Sequence, residues 1–207
     1  VVAKNTIPYG DSYQSFPSAV VYSNALNARC QGFISVRDKA GDAYTYAGDI
    51  SALYRLSAST WTDATRASGG AYATAADESW EFAQWGETIV ATNYADTIQI
   101  ITLGQSNFAA LSGSPPKARH IAVVRDFLLL GNVTDYTSGA AVSNRIHWSG
   151  LDSITSWTPS FTTQSDYQDF YEGGWVQKVV GGETGIIFQE RSIRLMTYIG
   201  SPVIFQF

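Results

Sequence analysis

The chain has little of what a disulfide scaffold, a zinc protein or a membrane-spanning helix requires. Among 207 residues there is one cysteine, Cys30, and one methionine. A single thiol builds neither an internal disulfide framework nor a Cys-rich zinc site. The only histidines are His120 and His147, and a zinc site needs more ligands at closer spacing. The longest apolar run, Phe127 to Leu130, falls far short of the roughly 18 residues that a membrane span needs. Gly and Pro together number 24, too few for a low-complexity linker. Charge is also sparse, at 15% of residues against about 25% in an average soluble domain. The net charge of −5 argues against a protein whose main task is to grip nucleic acid, which would present a basic face. The basic residues form only loose groups, Lys117 with Arg119 and Arg125, and Arg191 with Arg194.

What the chain has instead is aromatic and hydroxyl side chains. Trp, Tyr and Phe number 6, 12 and 10, and Ser and Thr together make 40. Aromatic and β-branched residues fit a pleated surface, so the composition points to an all-β protein. Hydrophobic residues make up 45% of the chain, enough for a real core, which excludes disorder.

The pattern along the chain divides it into an N-terminal arm, residues 1–30, and a β region, residues 31–207. The arm carries Pro8, Gly10 and Pro17 among Tyr9, Tyr13 and Phe16. It reads as extended, since proline opposes regular pairing. Ser18 to Cys30 has apolar residues at roughly helical spacing, weakened by Asn24 and Asn27, and reads as a short helix or an irregular arm. From Gly32 onward, short apolar strands alternate with turn residues. Hairpins are expected at Phe33–Val36 with Ala43–Tyr46, Trp80–Trp85 with Thr88–Thr92, His120–Val124 with Phe127–Leu130, and Val176–Val180 with Gly185–Gln189. Gly86-Glu87 suits a two-residue type II′ turn.

A third strand follows each hairpin, at Ala52–Leu56, Thr97–Ile101, Arg145–Trp148 and Ile193–Thr197. A fourth element is marked by Trp61, Phe108 and Trp157. The turns lie near residues 39, 86, 126 and 182, a repeat of about 40–50 residues with three or four strands each, which is a β-propeller signature. The expected fold is therefore all-β: a β-propeller-like array of about four antiparallel blades, an incomplete part of a larger propeller, with an extended N-terminal arm. A β-sandwich is the alternative. The start at Val1 without Met and the apolar run Pro202–Phe207 are read as marks of a longer chain; the other reading of that run is a strand that pairs in place.

Chemical motifs are sparse. No Gly-x-Ser-x-Gly elbow, EF-hand loop, Trp-Asp blade signature or sialidase-type Asp box occurs. Gly181–Gly185 is glycine-rich but lacks the Lys and following helix of a P-loop, so it reads as a turn. Asn132-Val-Thr134 is a glycosylation sequon. A glycosidase needs two facing carboxylates, and the candidates are Asp77, Glu78, Glu81, Asp166, Asp169, Glu172, Glu183 and Glu190. Trp80, Trp85, Trp148 and Trp157 would be the matching sugar platform or, alternatively, packing between blades. No catalytic, cofactor or metal residue is assigned from these patterns.

Between about Asn107 and Tyr198 the order of phrases carries a resemblance. The phrases are Ala109-Ala-Leu-Ser-Gly-Ser-Pro-Pro-Lys-Ala118, Ile121-Ala-Val-Val-Arg-Asp-Phe-Leu-Leu-Leu-Gly-Asn132, Asn144-Arg-Ile-His-Trp-Ser-Gly150 with Ser156-Trp157, Gly173-Gly-Trp-Val-Gln-Lys-Val-Val-Gly-Gly182 and Gly185-Ile-Ile-Phe-Gln-Glu-Arg-Ser-Ile-Arg194. Tyr44–Asp49 and Leu53–Leu56 extend it. This order resembles the tail nozzle or hub family of short-tailed bacteriophages, which includes packaged-DNA stabilisation proteins and tail tubular protein B. The resemblance implies a structural virion protein that forms a ring, commonly a hexamer, below the portal and adaptor. It implies contact with tail fibre or spike proteins, passage of genomic double-stranded DNA without sequence specificity, and location in the virion tail after assembly in the host cytoplasm. It implies no enzyme activity, no cofactor and no membrane-spanning segment. Family members are longer than this chain, so no functional residue is carried over. The alternatives from another class are a carbohydrate-binding or carbohydrate-cleaving propeller and a scaffold propeller for protein partners.

Overall fold

The computed structural model describes residues 4–18 and 20–207. Val1–Ala3 of the expected arm, and Ala19 within Ser18–Cys30, lie outside the described residues. The described chain is all-β, with no helix. A hairpin of β1 (Thr6–Tyr9) and β2 (Ser12–Ser15) precedes four antiparallel sheets. The first holds β3 (Gly32–Arg37), β4 (Ala43–Gly48), β5 (Leu53–Ser57) and β6 (Thr60–Asp63). The second holds β7 (Glu81–Trp85), β8 (Thr88–Thr92), β9 (Gln99–Thr102) and β10 (Ala109–Ala110). The third holds β11 (Ala118–Val124), β12 (Phe127–Thr134), β13 (Ala141–Trp148) and β14 (Asp166–Asp169). The fourth holds β15 (Val176–Val180), β16 (Gly185–Gln189), β17 (Ile193–Gly200) and β18 (Ile204–Gln206). In each sheet the spatial order is the chain order.

The turns explain why the strands pair as they do. At the β7–β8 connection Gly86 has a φ of 56°, the left-handed backbone that opens a type II′ turn. Trp85 then faces Thr88, and the register runs on to Glu81 opposite Thr92. At β11–β12 the two-residue turn is Arg125-Asp126, with Arg125 itself at a φ of 50°. Its backbone N–H donates to the Gly182 carbonyl at 2.9 Å, a bond to the next sheet that holds this conformation in place.

Two expectations are corrected. Pro8 does not prevent pairing, because it stands opposite Tyr13 inside the β1–β2 hairpin; a two-stranded ribbon has an outer edge where no N–H is needed. Trp157 does not mark the fourth strand of its unit. That strand is β14, and Trp157 is buried in the loop before it. Of the two readings of Ser18–Cys30, the irregular arm holds in its described part, which forms no helix. The run before Phe207 forms β18 and pairs with β17, Thr197 opposite Gln206.

Alternation along the strands builds the packing between sheets. Successive side chains of a strand point to opposite faces. Along β8, Ile89 and Ala91 enter the core against the first sheet, whereas Val90 enters the core against the third. Along β12, Leu128 and Leu130 face the second sheet, and Phe127 and Leu129 face the fourth. Three apolar cores thus alternate with four sheets.

The sheets also meet through their first strands. β3 lies beside β7, β7 beside β11 and β11 beside β15, and no comparable contact joins β15 to β3 among the described residues. The approach is close enough for backbone bonds, Trp80 N–H to the Gln31 carbonyl and Gly182 N–H to the Val123 carbonyl, both at 2.9 Å. At Gly181 a Cβ would collide with the backbone carbonyl of Val123. Gly181→Ala is accordingly expected to destabilise the fold by about 1–3 kcal/mol, and Leu129→Ala, which opens a cavity in the core between the third and fourth sheets, by about 2–5 kcal/mol. Urea unfolding of the two variants checks both figures.

Candidate functional site

The first strands bring together charged groups that the sequence holds far apart. On β7, Phe82 turns toward the first sheet, so Glu81 and Ala83 turn toward the third. The Glu81 carboxylate accepts the Ile121 backbone N–H at 3.2 Å, covering the free edge of β11. Its other oxygen lies 3.0 Å from His120 Nδ1 and 2.6 Å from Lys178 Nζ. One carboxylate therefore joins the second, third and fourth sheets. Burial alone would raise its pKa, but the His120 and Lys178 bonds hold it below the usual carboxylate value.

A second polar chain runs beside it. Arg119 on β11 donates twice to Glu78 Oε1, at 2.9 and 2.6 Å, and once to Asn132 Oδ1 at 3.1 Å. Its guanidinium stacks over the Tyr94 ring at 4.0 Å. Asn132 Nδ2 in turn donates to the Val176 carbonyl on the fourth sheet at 3.2 Å. The Glu78 bonds raise the Arg119 pKa further. Asn132 is buried at a φ of 53°, a left-handed conformation that Asn tolerates. Its amide is consumed in packing, so the sequon presents no accessible acceptor.

The third sheet carries a further cluster at its outer strands. Arg145 on β13 makes a two-point bond to Asp169 on β14, at 2.5 and 2.9 Å, and reaches Asp135 at 2.7 Å. It also covers the Tyr167 ring at 3.9 Å. Asp135 accepts backbone N–H groups from Ser138 and Thr137, which with Arg145 hold its carboxyl far below the usual range. Beside this cluster, His147 is fully buried among the rings of Tyr136, Tyr167 and Trp157. Its Nε2–H donates to the Trp157 carbonyl at 2.8 Å, and its Nδ1 has no partner among the described residues. Burial drives its pKa down to about 4, the Trp157 bond only partly opposing it. His147 is a neutral packing residue at the centre of this aromatic group.

The remaining candidates do not converge. Asp77, Asp166, Glu172, Glu183 and Glu190 are exposed, with Glu183 3.2 Å from Arg125. Glu78, Glu81 and Asp169 are occupied by cations, as above. Trp80, Trp148 and Trp157 are buried, and each indole N–H donates to a backbone carbonyl at 2.8 Å, those of Asp49, Gln164 and Ile154. Their rings are therefore not open to a sugar. Of the basic groups, Arg119 is taken up by Glu78, Arg125 by Glu183, and Arg194 donates to Gln189 Oε1 at 2.8 Å. The Gly181–Gly185 run is the β15–β16 turn, as expected.

An open groove of about 680 Å³ lies between loops of the second and third sheets, lined by Tyr94, Lys117, Asp135 and Tyr136 among others. Lys117 Nζ is held by the Ala95 carbonyl and Asp135 by Arg145. The two charged groups of the groove are thus already paired. The Glu81, His120 and Lys178 junction is the main feature absent from the local sequence reading. Its one sequence signal is positional: each of the three lies on the first strand of its unit.

Two measurements follow from these sites. Glu81→Gln keeps an acceptor for Ile121 but loses the charge shared by His120 and Lys178. It is expected to cost roughly 1.5–3 kcal/mol in urea unfolding at neutral pH, the scale of hydrogen bonds to a charged group. For His147 the folded pKa, about 4, lies below the unfolded value of about 6.5. The unfolded chain therefore takes up a proton first as pH falls. Stability from this residue is full above about pH 6.5 and is lost progressively down to about pH 4, by roughly 3 kcal/mol in total. His147→Gln should flatten the stability curve across that window.

Compared with known proteins, the chain matches no protein-family model and no curated protein sequence.

Proposed function

We propose that this chain is a structural protein of a phage virion, forming part of the wall of a ring-shaped tail nozzle or hub that conducts and retains genomic DNA. The reading is carried by the four meander sheets linked through their first strands, the arrangement of blades about a propeller axis. The phrase order from Asn107 to Tyr198, which resembles the nozzle family, supports it from the sequence side. In this reading the four sheets are an arc of a larger propeller. The stack stays open between β15 and β3, and other segments complete it.

The role is mechanical. Stacked sheets cemented by three cores make a rigid wall, and their loops set the bore. The partners are other copies in a ring of six, the adaptor above, and fibre or spike proteins. The charge distribution suits a conduit. Arg66, Arg119, Arg125, Arg145 and Lys178 already hold carboxylates, and the net charge is −5. A lumen of free Lys and Arg would instead hold phosphates and release counterions, which stalls a moving duplex.

Negative-stain images of the purified chain are expected to show six-fold rings with an open bore, and mobility-shift assays with duplex DNA to show no retention at physiological salt. A glycan-binding or glycan-cleaving monomer would overturn the reading. So would a ring whose lumen is lined mainly by Lys and Arg.

A further inference from the structure

The two ends of the sheet stack leave different surfaces bare. The outer face of the fourth sheet carries an apolar patch, with Lys178 at its margin opposite Phe188. Val180, Ile186 and Leu195 lie in register across β15, β16 and β17, with Phe188 opposite Ile193 beside them and Ile199 further along β17. Ile193 is 67% exposed and Leu195 59%. The same positions of the third sheet are Phe127 and Leu129 from the second strand and Ile146 and Trp148 from the third, all buried by the fourth sheet. The fourth sheet thus repeats, two side chains from each of the same strands, the face that elsewhere in this chain receives a neighbour. Contiguous apolar surface of this kind marks an interaction site.

At the other end stands the hairpin of β1 and β2. Two strands alone are marginally stable in water and need a packing partner. No hydrogen bond joins Thr6–Ser15 to the four sheets among the described residues. Tyr13 is 70% exposed and Val21 90%, and Tyr9, Phe16, Val20 and Tyr22 are exposed with them. The arm is anchored just beyond these residues. Ser23 accepts the Trp61 indole N–H at 3.0 Å, and the Asn24 side chain accepts the Trp61 backbone N–H at 2.7 Å. It therefore leaves from the outer strand of the first sheet, with the second and third sheets between it and the bare face of the fourth.

We propose that the outer face of the fourth sheet receives the N-terminal hairpin arm of a second copy of this chain. Neither β1 nor β2 contains a charged residue, and neither do the six face residues. Lys178, opposite Phe188, is already held by Glu81, so the contact buries no unpaired charge from these strands, which would cost several kcal/mol. It gives the hairpin the packing surface that a two-stranded ribbon lacks. Because arm and face are different surfaces, the contact is heterologous: it propagates head to tail and closes into a ring or continues as a chain. This inference uses the two surfaces alone and is independent of the phage-tail reading.

The test is complementation between two variants of the full chain. Leu195→Glu disables the face, and Tyr13→Asp with Val21→Asp disables the arm. All three positions are exposed, so circular dichroism melting should match the parent for both. In analytical ultracentrifugation the parent is expected to associate as concentration rises, and each variant alone to lose its associated species. An equimolar mixture retains one intact arm and one intact face, so it should form a species of two chains and nothing larger. A parent chain that stays monomeric overturns the proposal. Association of either variant at the parent's level also overturns it, the arm variant's being the result expected if two fourth sheets packed face to face, and so does a mixture that remains monomeric. Glycan binding by the parent would sink the tail reading and leave this one standing.

Discussion

The structure depends on strands that are apolar on both faces. β8 and β12 each send alternate side chains into two different cores, so one strand cements two interfaces at once. Each fully buried aliphatic side chain contributes about 1.5–3 kcal/mol relative to exposure. The consecutive buried residues Phe127–Leu130 thus outweigh any single polar contact between the sheets. A sheet buried on one side only would need polar residues at every second position of these strands. Their absence is what allows sheets to stack in series rather than pair off once.

The charged junctions do a different job. Glu81 is largely buried, and removing a carboxylate from water costs several kcal/mol before its partners repay it. Its three partners, Ile121 N–H, His120 and Lys178, sit on two other sheets, so the repayment exists in one relative placement only. A slip of one residue in β7 would turn Glu81 toward the first sheet and leave it buried without them. The apolar cores set how strongly the sheets adhere, and the Glu81 and Arg119 chains set where. The Asn132 link to Val176 extends that second function to the fourth sheet, which is why a surface modification signal in the sequence is a buried strut in the fold.

Strands and turns were legible because they are local. Gly86 in a two-residue gap and the alternation of Val176–Val180 carry their own geometry. The readings that failed depended on context. Pro8 is tolerated because its ribbon has only two strands, a fact about neighbours rather than about proline. Trp157 lies at the spacing of a fourth strand, yet it fills the core between the second and third sheets and sends its carbonyl to His147. The Glu81 junction was illegible for a related reason. Its members are 39 and 97 positions apart, and only the stacking of units, which no window of sequence contains, brings the first strands side by side.

The two end sheets show how far this logic of stacking runs. The first sheet carries several satisfied polar groups, beside one bare apolar side chain on its outer face, Phe33, which lies in register with Ala47 and Tyr54 and is 70% exposed. Asn24 and Ser23 hold Trp61, Arg29 reaches the Ala76 carbonyl at 2.5 Å, and Gln31 donates to the Ala75 and Glu78 carbonyls at 2.6 and 2.9 Å. Tyr54, on the same side, gives its hydroxyl to Asp49 at 2.7 Å. Satisfied amides and hydroxyls gain little from a further sheet, because each bond would be exchanged for another. The fourth sheet offers Ile193 and Leu195 in place of such bonds, and burying them is favourable by the same term that holds the interior cores together. The fourth sheet therefore leaves more apolar surface bare than the first, Ile193, Leu195, Val180 and Ile199 against Phe33, and growth of the assembly gains most there.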